Sequence, residues 1–439
     1  MYRSGTRRAT VLTVLALAAA GLTGCGSGSK EQAQSGPVSL TWWGWNAFNN
    51  VQAIKDFEAA NPQIKVTYKQ YAYNDYVTAL RPGLSSDKGP DVFQVQPGDL
   101  TTNFGPLAVP VEDRAAKDLG KDWAGRFNPE GLSQLQLDKK QVALPAYMSA
   151  AGLIYYNKTI LDRYGLGVPT DFEQWKKVCA TLKAHAVKCL AHGAKDAWVN
   201  TDVYLSLINS IAPGKVYDAI QGKASWTDPE FVQAMSAWSD LFTSGIIPAG
   251  ATAATEYPDA QTTFLEDKAA FIALGTWNTP ATMTKTGQLD AQKTVTKKID
   301  GLFLSAPFPA PVTGGRPTKL FGGPDNGFAV SAKSAKQDAA FKFLEFLTAG
   351  DGQKIQAAGG NIPAITSVKV ATTDVINPAQ VADIERQQQS LTDLIGARQI
   401  PYSDLTTALG DALSAVAAGT SSPQDALKKV ESASKSVSR

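Results

Sequence analysis

Histidine is nearly missing from this chain. Two occur in 439 residues, His185 and His192, both in one short segment, so a serine triad would have to draw on one of them. Also missing are a nucleophile elbow, an HExxH helix and a phosphate-cradling glycine loop, the local patterns by which hydrolases, zinc proteases and nucleotide enzymes announce themselves. Charge of either sign is not in excess: 42 basic against 40 acidic residues leave +2. Nothing in that balance suggests a nucleic-acid partner. Beyond the first 25 residues no apolar run approaches the ~20 positions of a membrane-spanning helix. Cysteine is scarce, with three residues, Cys25, Cys179 and Cys189. What remains is a chain with 44% apolar residues and nine tryptophans, long enough to bury a sizeable core and to divide into two lobes.

The amino terminus reads as a signal peptide, residues 1–24: Arg3, Arg7 and Arg8, then an apolar run from Val11 to Leu22. Leu22-Thr23-Gly24-Cys25 resembles the bacterial lipobox, which implies that Cys25 becomes a lipidated amino terminus. Residues 25–37, small and polar, then read as a flexible tether. These features are those of a bacterial protein of the Gram-positive kind, held on the outer face of the cell membrane by a lipid anchor alone; Arg7-Arg8 leaves the choice between general and twin-arginine export open. Removing the three arginines of the signal from +2 leaves −1 for the mature chain.

The mature chain opens on Leu40-Thr41-Trp42-Trp43-Gly44-Trp45-Asn46. Alternation predicts a strand over 38–43 with Leu40 and Trp42 on one face, broken at Gly44. A helix is expected from Val51 to Asn61, a strand over 63–68, a helix over 75–84 and a third strand over 91–95 leading to Asp99. That β-α-β-α-β order is the unit in which open α/β sheets present ligand groups at the carboxyl ends of their strands. Trp43, Trp45 and Asn46 after the first strand, and Asp99 after the third, are therefore candidate contacts. Packing is the alternative for the tryptophans and helix capping for Asp99. Two strand-like pieces, 142–147 and 152–158, meet at the small residues Ser149-Ala150-Ala151, a joint suited to a crossing between lobes. A capping pattern, Thr170 with Glu173, starts a helix carrying Phe172, Trp175, Val178 and Leu182. Ser422-Pro423 starts the last helix.

Cys179, His185, Cys189 and His192 fall close together. Their spacing matches no common zinc pattern, so a disulfide between Cys179 and Cys189, a pair of unpaired thiols and a metal site all stay open, with an oxidising compartment favouring the first.

Taken together, the stretches Phe57-Glu58-Ala59-Ala60-Asn61-Pro62-Gln63-Ile64-Lys65-Val66, Pro90-Asp91-Val92-Phe93, Leu153-Ile154-Tyr155-Tyr156-Asn157-Lys158, Gly275-Thr276-Trp277-Asn278 and Phe343-Leu344-Glu345-Phe346-Leu347 before Gly352-Gln353 resemble the extracellular solute-binding proteins of carbohydrate ABC importers, the branch that includes maltose-binding protein. The resemblance implies an α/β fold of two lobes with hinge strands and a ligand cleft between them. The lobes are expected at 38–148 with 301–347 and at 149–300 with 348–439. It further implies a monomer that captures a carbohydrate and delivers it to permease subunits, without cofactor, metal or catalysis. A sugar offers an apolar C–H face and a rim of hydroxyls, so its site needs flat aromatic surfaces beside planar polar groups. Trp277 matches a family tryptophan that stacks on the sugar, and Asn278 adjoins it. Tyr147 sits in the inter-lobe segment, and Trp198 is expected in a loop of the second lobe. Asp325, within Pro324-Asp325-Asn326-Gly327, reads as a turn residue or a ligand contact. An exported carbohydrate-active enzyme such as a glycosidase, which also needs carboxylates in an aromatic cleft, and a binding protein for a non-sugar solute are the competing readings.

Overall fold

The computed structural model describes residues 36–45 and 50–439. The strands are β1 (Val38–Gly44), β2 (Ile64–Gln70), β3 (Val92–Val95), a short hairpin of β4 (Gln136–Leu137) and β5 (Lys140–Gln141), β6 (Leu144–Ala151), β7 (Leu153–Asn157), β8 (Lys188–Ala191), β9 (Ala269–Ile272), β10 (Phe303–Pro307), β11 (Phe321–Val330) and β12 (Ile362–Pro363). Among the described residues they form two larger sheets, β12-β6-β11-β3-β1-β2 and β10-β7-β9-β8. We call the part built on each sheet a lobe.

The first sheet follows from alternation. Leu40 and Trp42 turn to one face of β1 and are fully buried in the cluster that holds Phe57, Val66 and Phe343. Trp43 turns to the other face and packs with Tyr76, Leu80 and Phe93. β2 and β3 flank β1 in parallel, each reached through a helix, Asn50–Ala60 and Tyr73–Leu84. β11 then runs antiparallel between β3 and β6. In the second sheet β8 and β9 are parallel, with β7 and β10 antiparallel to their neighbours.

The chain passes from one sheet to the other at Gly152, between β6 and β7, where φ is +99°. That left-handed backbone favours glycine. The joint is therefore this glycine, and Ser149-Ala150-Ala151, expected to open the second lobe, completes a continuous strand of the first sheet. Two other boundaries move for the same reason, that strand pairing decides membership. Residues 303–307, expected in the first lobe, pair with β7 in the second sheet, and the return crossing falls between Pro307 and Phe321. Residues 362–363, expected in the second lobe, form the edge of the first sheet beside β6.

Helix Phe172–Ala184 starts one residue later than its capping pattern suggests: Asp171, not Thr170, accepts from the Gln174 N–H. Phe172, Trp175, Val178, Cys179 and Leu182 form its buried face. Ser422 caps the last helix, Pro423–Ser436, as its sequence indicates. The segment 391–402 has little regular structure and runs along both lobes. Its Gly396 carbonyl accepts from the Gly322 N–H of β11, its Pro401 carbonyl from Thr102 Oγ1, and Ser403 Oγ just beyond it from Asn103 Nδ2.

Cys179 on that helix and Cys189 on β8 are joined, with their Cα atoms 5.1 Å apart. Closing a loop of this length removes about 2 to 3 kcal/mol of chain entropy from the unfolded state. Replacing both cysteines with serine is expected to lower unfolding stability by that amount in denaturant titration. Non-reducing peptide mapping of the parent protein should recover the linked pair.

Candidate functional site

Five strand ends supply the site. In the first lobe Trp45 follows β1, Tyr73 follows β2, and Gln96 and Asp99 follow β3. In the second, Asp196 and Trp198 follow β8, and Gly275 and Trp277 follow β9. These are the carboxyl ends of parallel strands, where backbone groups and side chains are free to meet a ligand.

On the first lobe the Trp45 backbone N–H donates to Gln94 Oε1 at 2.9 Å, and its indole lies edge-on to Tyr73 and Tyr76. The Tyr73 hydroxyl donates to Gln96 Oε1 at 2.7 Å. Asp99 is the first residue of the helix Asp99–Phe104, after Gly98. Burial pushes its carboxyl up, while the backbone N–H groups of Leu100 and of Asp99 itself pull it back down.

On the second lobe three aromatic rings cluster. Trp198 and Tyr257 stack with an interplanar angle of 12°, and Trp277 Nε1–H donates to the Tyr257 hydroxyl at 3.1 Å. Tyr257 exposes 42% of its surface although protein surrounds its hydroxyl closely enough to push the phenol up by burial. That combination is the mark of a ring lining a recess. Trp277 is half-buried and touches three separate core clusters, so it sits where the lobes meet. Gly275 makes its position possible: a Cβ there would fall 2.1 Å from the Trp277 ring and 2.3 Å from the Ala150 carbonyl of β6.

Arg398, from the segment that runs along both lobes, ties the two sides together. Its guanidinium lies 3.9 Å over the Trp277 ring. Nε donates to both oxygens of Asp202, at 2.9 and 3.1 Å, and Nη2 to Asp202 Oδ2 at 2.9 Å. Nη1 stands 3.9 Å from Asp325 Oδ1 on β11. Burial opposes the guanidinium's charge, but the charge and hydrogen bonds of Asp202, with the charge of Asp325, together hold the pKa above the ordinary arginine value. Asp325 accepts from the Tyr147 hydroxyl at 2.8 Å, from Ser149 Oγ at 3.0 Å and from Asn326 Nδ2 at 3.0 Å.

The structure thus brings Trp45, Asp99, Tyr147, Asp325, Trp198 and Trp277 to one region. Trp43 is not among them; it is core, under Gly83 and beside Tyr71, because inside β1 it points to the sheet face that the helix Tyr73–Leu84 covers. Trp198 lies in the first turn of the helix Ala197–Ile211, not in a loop. Asp325 is not a turn residue. It lies inside a ten-residue strand, at a bulge between Pro324 and Asn326 that accommodates the proline. Asn278 is buried behind Trp277: its Oδ1 accepts from Gln261 Nε2, its Nδ2 has no partner among the described residues, and its side chain makes no capping bond to the following helix. Asn46 and Cys25 lie outside the described residues. The zinc alternative at residues 179–192 is removed by the disulfide and by His192 Nε2, which is 2.9 Å from Asn200 Oδ1. No group of three or more metal-ligating side chains occurs among the described residues.

Four members of the site went unread in the sequence: Tyr73, Asp202, Tyr257 and Arg398. Two carried a signal. Tyr71-Ala72-Tyr73 follows a strand end directly, and Asp202 is the one charged residue of the helix Ala197–Ile211, on its buried face. Arg398 stands alone in irregular chain, where no periodicity marks it.

Residues 51–354 match the family described as bacterial extracellular solute-binding protein. The multiple sugar-binding protein of Streptococcus mutans is 24% identical over 379 residues, covering 84% of this chain and 85% of its own length. A structure solved in work on xylan utilization by the thermophilic bacterium Caldanaerobius polysaccharolyticus superposes with a TM-score of 0.77 at 21% identity, over 90% of this chain and 99% of the other. Maltose-bound MalE3 of T. maritima gives 0.72 at 21% identity, over 91% and 99%. The latter two likenesses establish the shared fold. No helix among the described residues is long and apolar enough to cross a membrane.

Proposed function

Because this chain belongs to the bacterial extracellular solute-binding protein family, the non-catalytic capture components of ABC transporters, we propose that its solute is a carbohydrate, bound between the lobes and passed to the permease. Membership in that family replaces the glycosidase alternative. The observation that carries the reading is the half-buried Trp277 at the lobe junction, one face under Arg398, its N–H on Tyr257 and Trp198 alongside. Around it stand Asp99, Asp325 and Tyr147, groups that accept from and donate to hydroxyls. Several matched proteins are described by sugars, including the galactooligosaccharide-binding protein of Bacillus subtilis, which supports the class without choosing among its members. The lobes are the bodies between which such a ligand is closed, since only their approach satisfies it from both sides. Anchoring through a lipid on Cys25 and a monomeric state belong to the same proposal.

An aromatic platform contributes about 0.5 to 1.5 kcal/mol beyond the area it buries, and that area adds about as much again or more. Trp277→Ala is therefore expected to weaken sugar binding at least tenfold, ~1.4 kcal/mol being one decade. Calorimetric titration with the best sugar from a thermal-shift panel checks this. Unchanged affinity with a collapsed melting temperature would make Trp277 a packing residue only. Chromatography after long incubation should return the sugar uncleaved.

A further inference from the structure

The carbohydrate reading leaves the charge of the ligand open, and on that reading we infer that the cleft takes uncharged sugars and refuses acidic ones, in spite of the arginine at its centre. A free guanidinium would read a carboxylate in a bidentate fork. Arg398 is not free. Nε and Nη2 are committed to Asp202, and the flat face is laid on Trp277. Turning the fork toward a ligand carboxylate would leave Asp202, which is buried, without its cation.

What Arg398 still offers is Nη1, and Nη1 faces Asp325 Oδ1 across 3.9 Å. That gap is too long for a hydrogen bond between the two groups. A single hydroxyl oxygen standing to one side of the pair, about 2.8 Å from each, would accept from Nη1 and donate its own proton to the carboxylate. Both groups are about nine-tenths buried, so a hydroxyl here would meet little competition from bulk water. A sugar hydroxyl has the required donor and acceptor; a ligand carboxylate has only acceptors and would meet Asp325 as a like charge. The remaining charges point the same way. Asp99, Asp202 and Asp325 all act on the Tyr73 hydroxyl, against Arg398 alone, and Asp99 has no ion-pair partner among the described residues. A like charge brought within a few ångströms of an uncompensated carboxylate in a partly buried site weakens binding by about two decades.

The experiment is calorimetric titration of the mature chain, at low salt, with neutral malto-, cello-, xylo- and chito-oligosaccharides and with the same backbones carrying uronic acids. For whichever neutral sugar binds, the uronate counterpart is expected to bind about a hundredfold more weakly. Asp99→Asn, which removes one negative charge and leaves the Arg398 and Asp325 gap in place, is expected to narrow that ratio about tenfold. A uronate that binds as tightly as its neutral counterpart overturns the charge argument and leaves the carbohydrate reading standing. Failure of every sugar, neutral or acidic, while a non-sugar solute binds, overturns both.

Discussion

Asp202→Ala is expected to destabilise the unliganded protein by about 3 to 5 kcal/mol, the cost of leaving a buried charge without its partner. The Arg398 guanidinium would keep Asp325 at 3.9 Å and the Trp277 and Trp198 rings, none of which replaces three hydrogen bonds to a carboxylate. The companion variant makes the cause visible. Asp202→Ala combined with Arg398→Met removes both charges while keeping an unbranched chain over Trp277, and should recover most of the loss in urea unfolding. Sugar binding should not recover, because Nη1 is gone from the gap facing Asp325. A single variant that loses less than about 1 kcal/mol would mean that the pair is solvated and contributes as surface pairs do.

Glu256→Gln is expected to do the opposite, stabilising the protein in a way that depends on pH. Glu256 is 0% exposed; its Oε2 accepts from the Gly193 N–H at 2.7 Å, and its Oε1 has no partner among the described residues. Burial pushes its carboxyl up to about 8 from an ordinary 4.5. Between those values the folded protein keeps a proton that the unfolded chain has released, so stability falls as pH rises from about 4.5 to about 8. At 1.36 kcal/mol per unit, the penalty is about 3 kcal/mol at pH 7. Glutamine copies the shape of the protonated acid and does not titrate. The variant should gain about 2 to 3 kcal/mol at pH 7, more at pH 8, and nothing at pH 4.5, read as melting temperature against pH. His192, next to Gly193, provides the control. Burial lowers its pKa to about 4, so its contribution is lost as pH falls from about 6.5 toward 4, and that acid-side slope should survive in the variant unchanged. Equal gains at pH 4.5 and pH 8 would show that packing, not titration, separates the two proteins.

Local pattern was enough to locate the first three strands, the helix at 172–184 and the last helix, because alternation, helical spacing and caps are properties of neighbouring residues. It was enough to mark Asp99 for the same reason, since it follows the third strand, whereas Trp277 and Trp198 were reached through the family resemblance. It failed where distant partners decide. Pro324-Asp325-Asn326-Gly327 has the composition of a turn, but β6 and β3 on either side hold it extended, with Tyr147 and Ser149 supplying donors to Asp325. Arg398 depends on Asp202 and Trp277, 196 and 121 positions away, and no window of sequence contains them. Trp43 and Trp45 differ by two residues and in composition not at all. Both rings pack on the same cluster: Trp43, inside β1, is buried in it, and Trp45, past Gly44 at the strand's end, covers its edge against Tyr73 and Tyr76.

β11 also has a bearing on how the chain is made. It fills the middle of the first sheet, yet it begins about 170 residues after β6, its neighbour, has ended. Until residue 330 has left the ribosome, β1, β2 and β3 face β6 across a slot that nothing occupies, and neither piece can bury its open edge. Long-range pairing of this kind forms slowly. The strand that joins β6 to the β3-β1-β2 part of the first sheet is therefore made only after all four strands of the second, so the first sheet cannot close before the second has been synthesised in full.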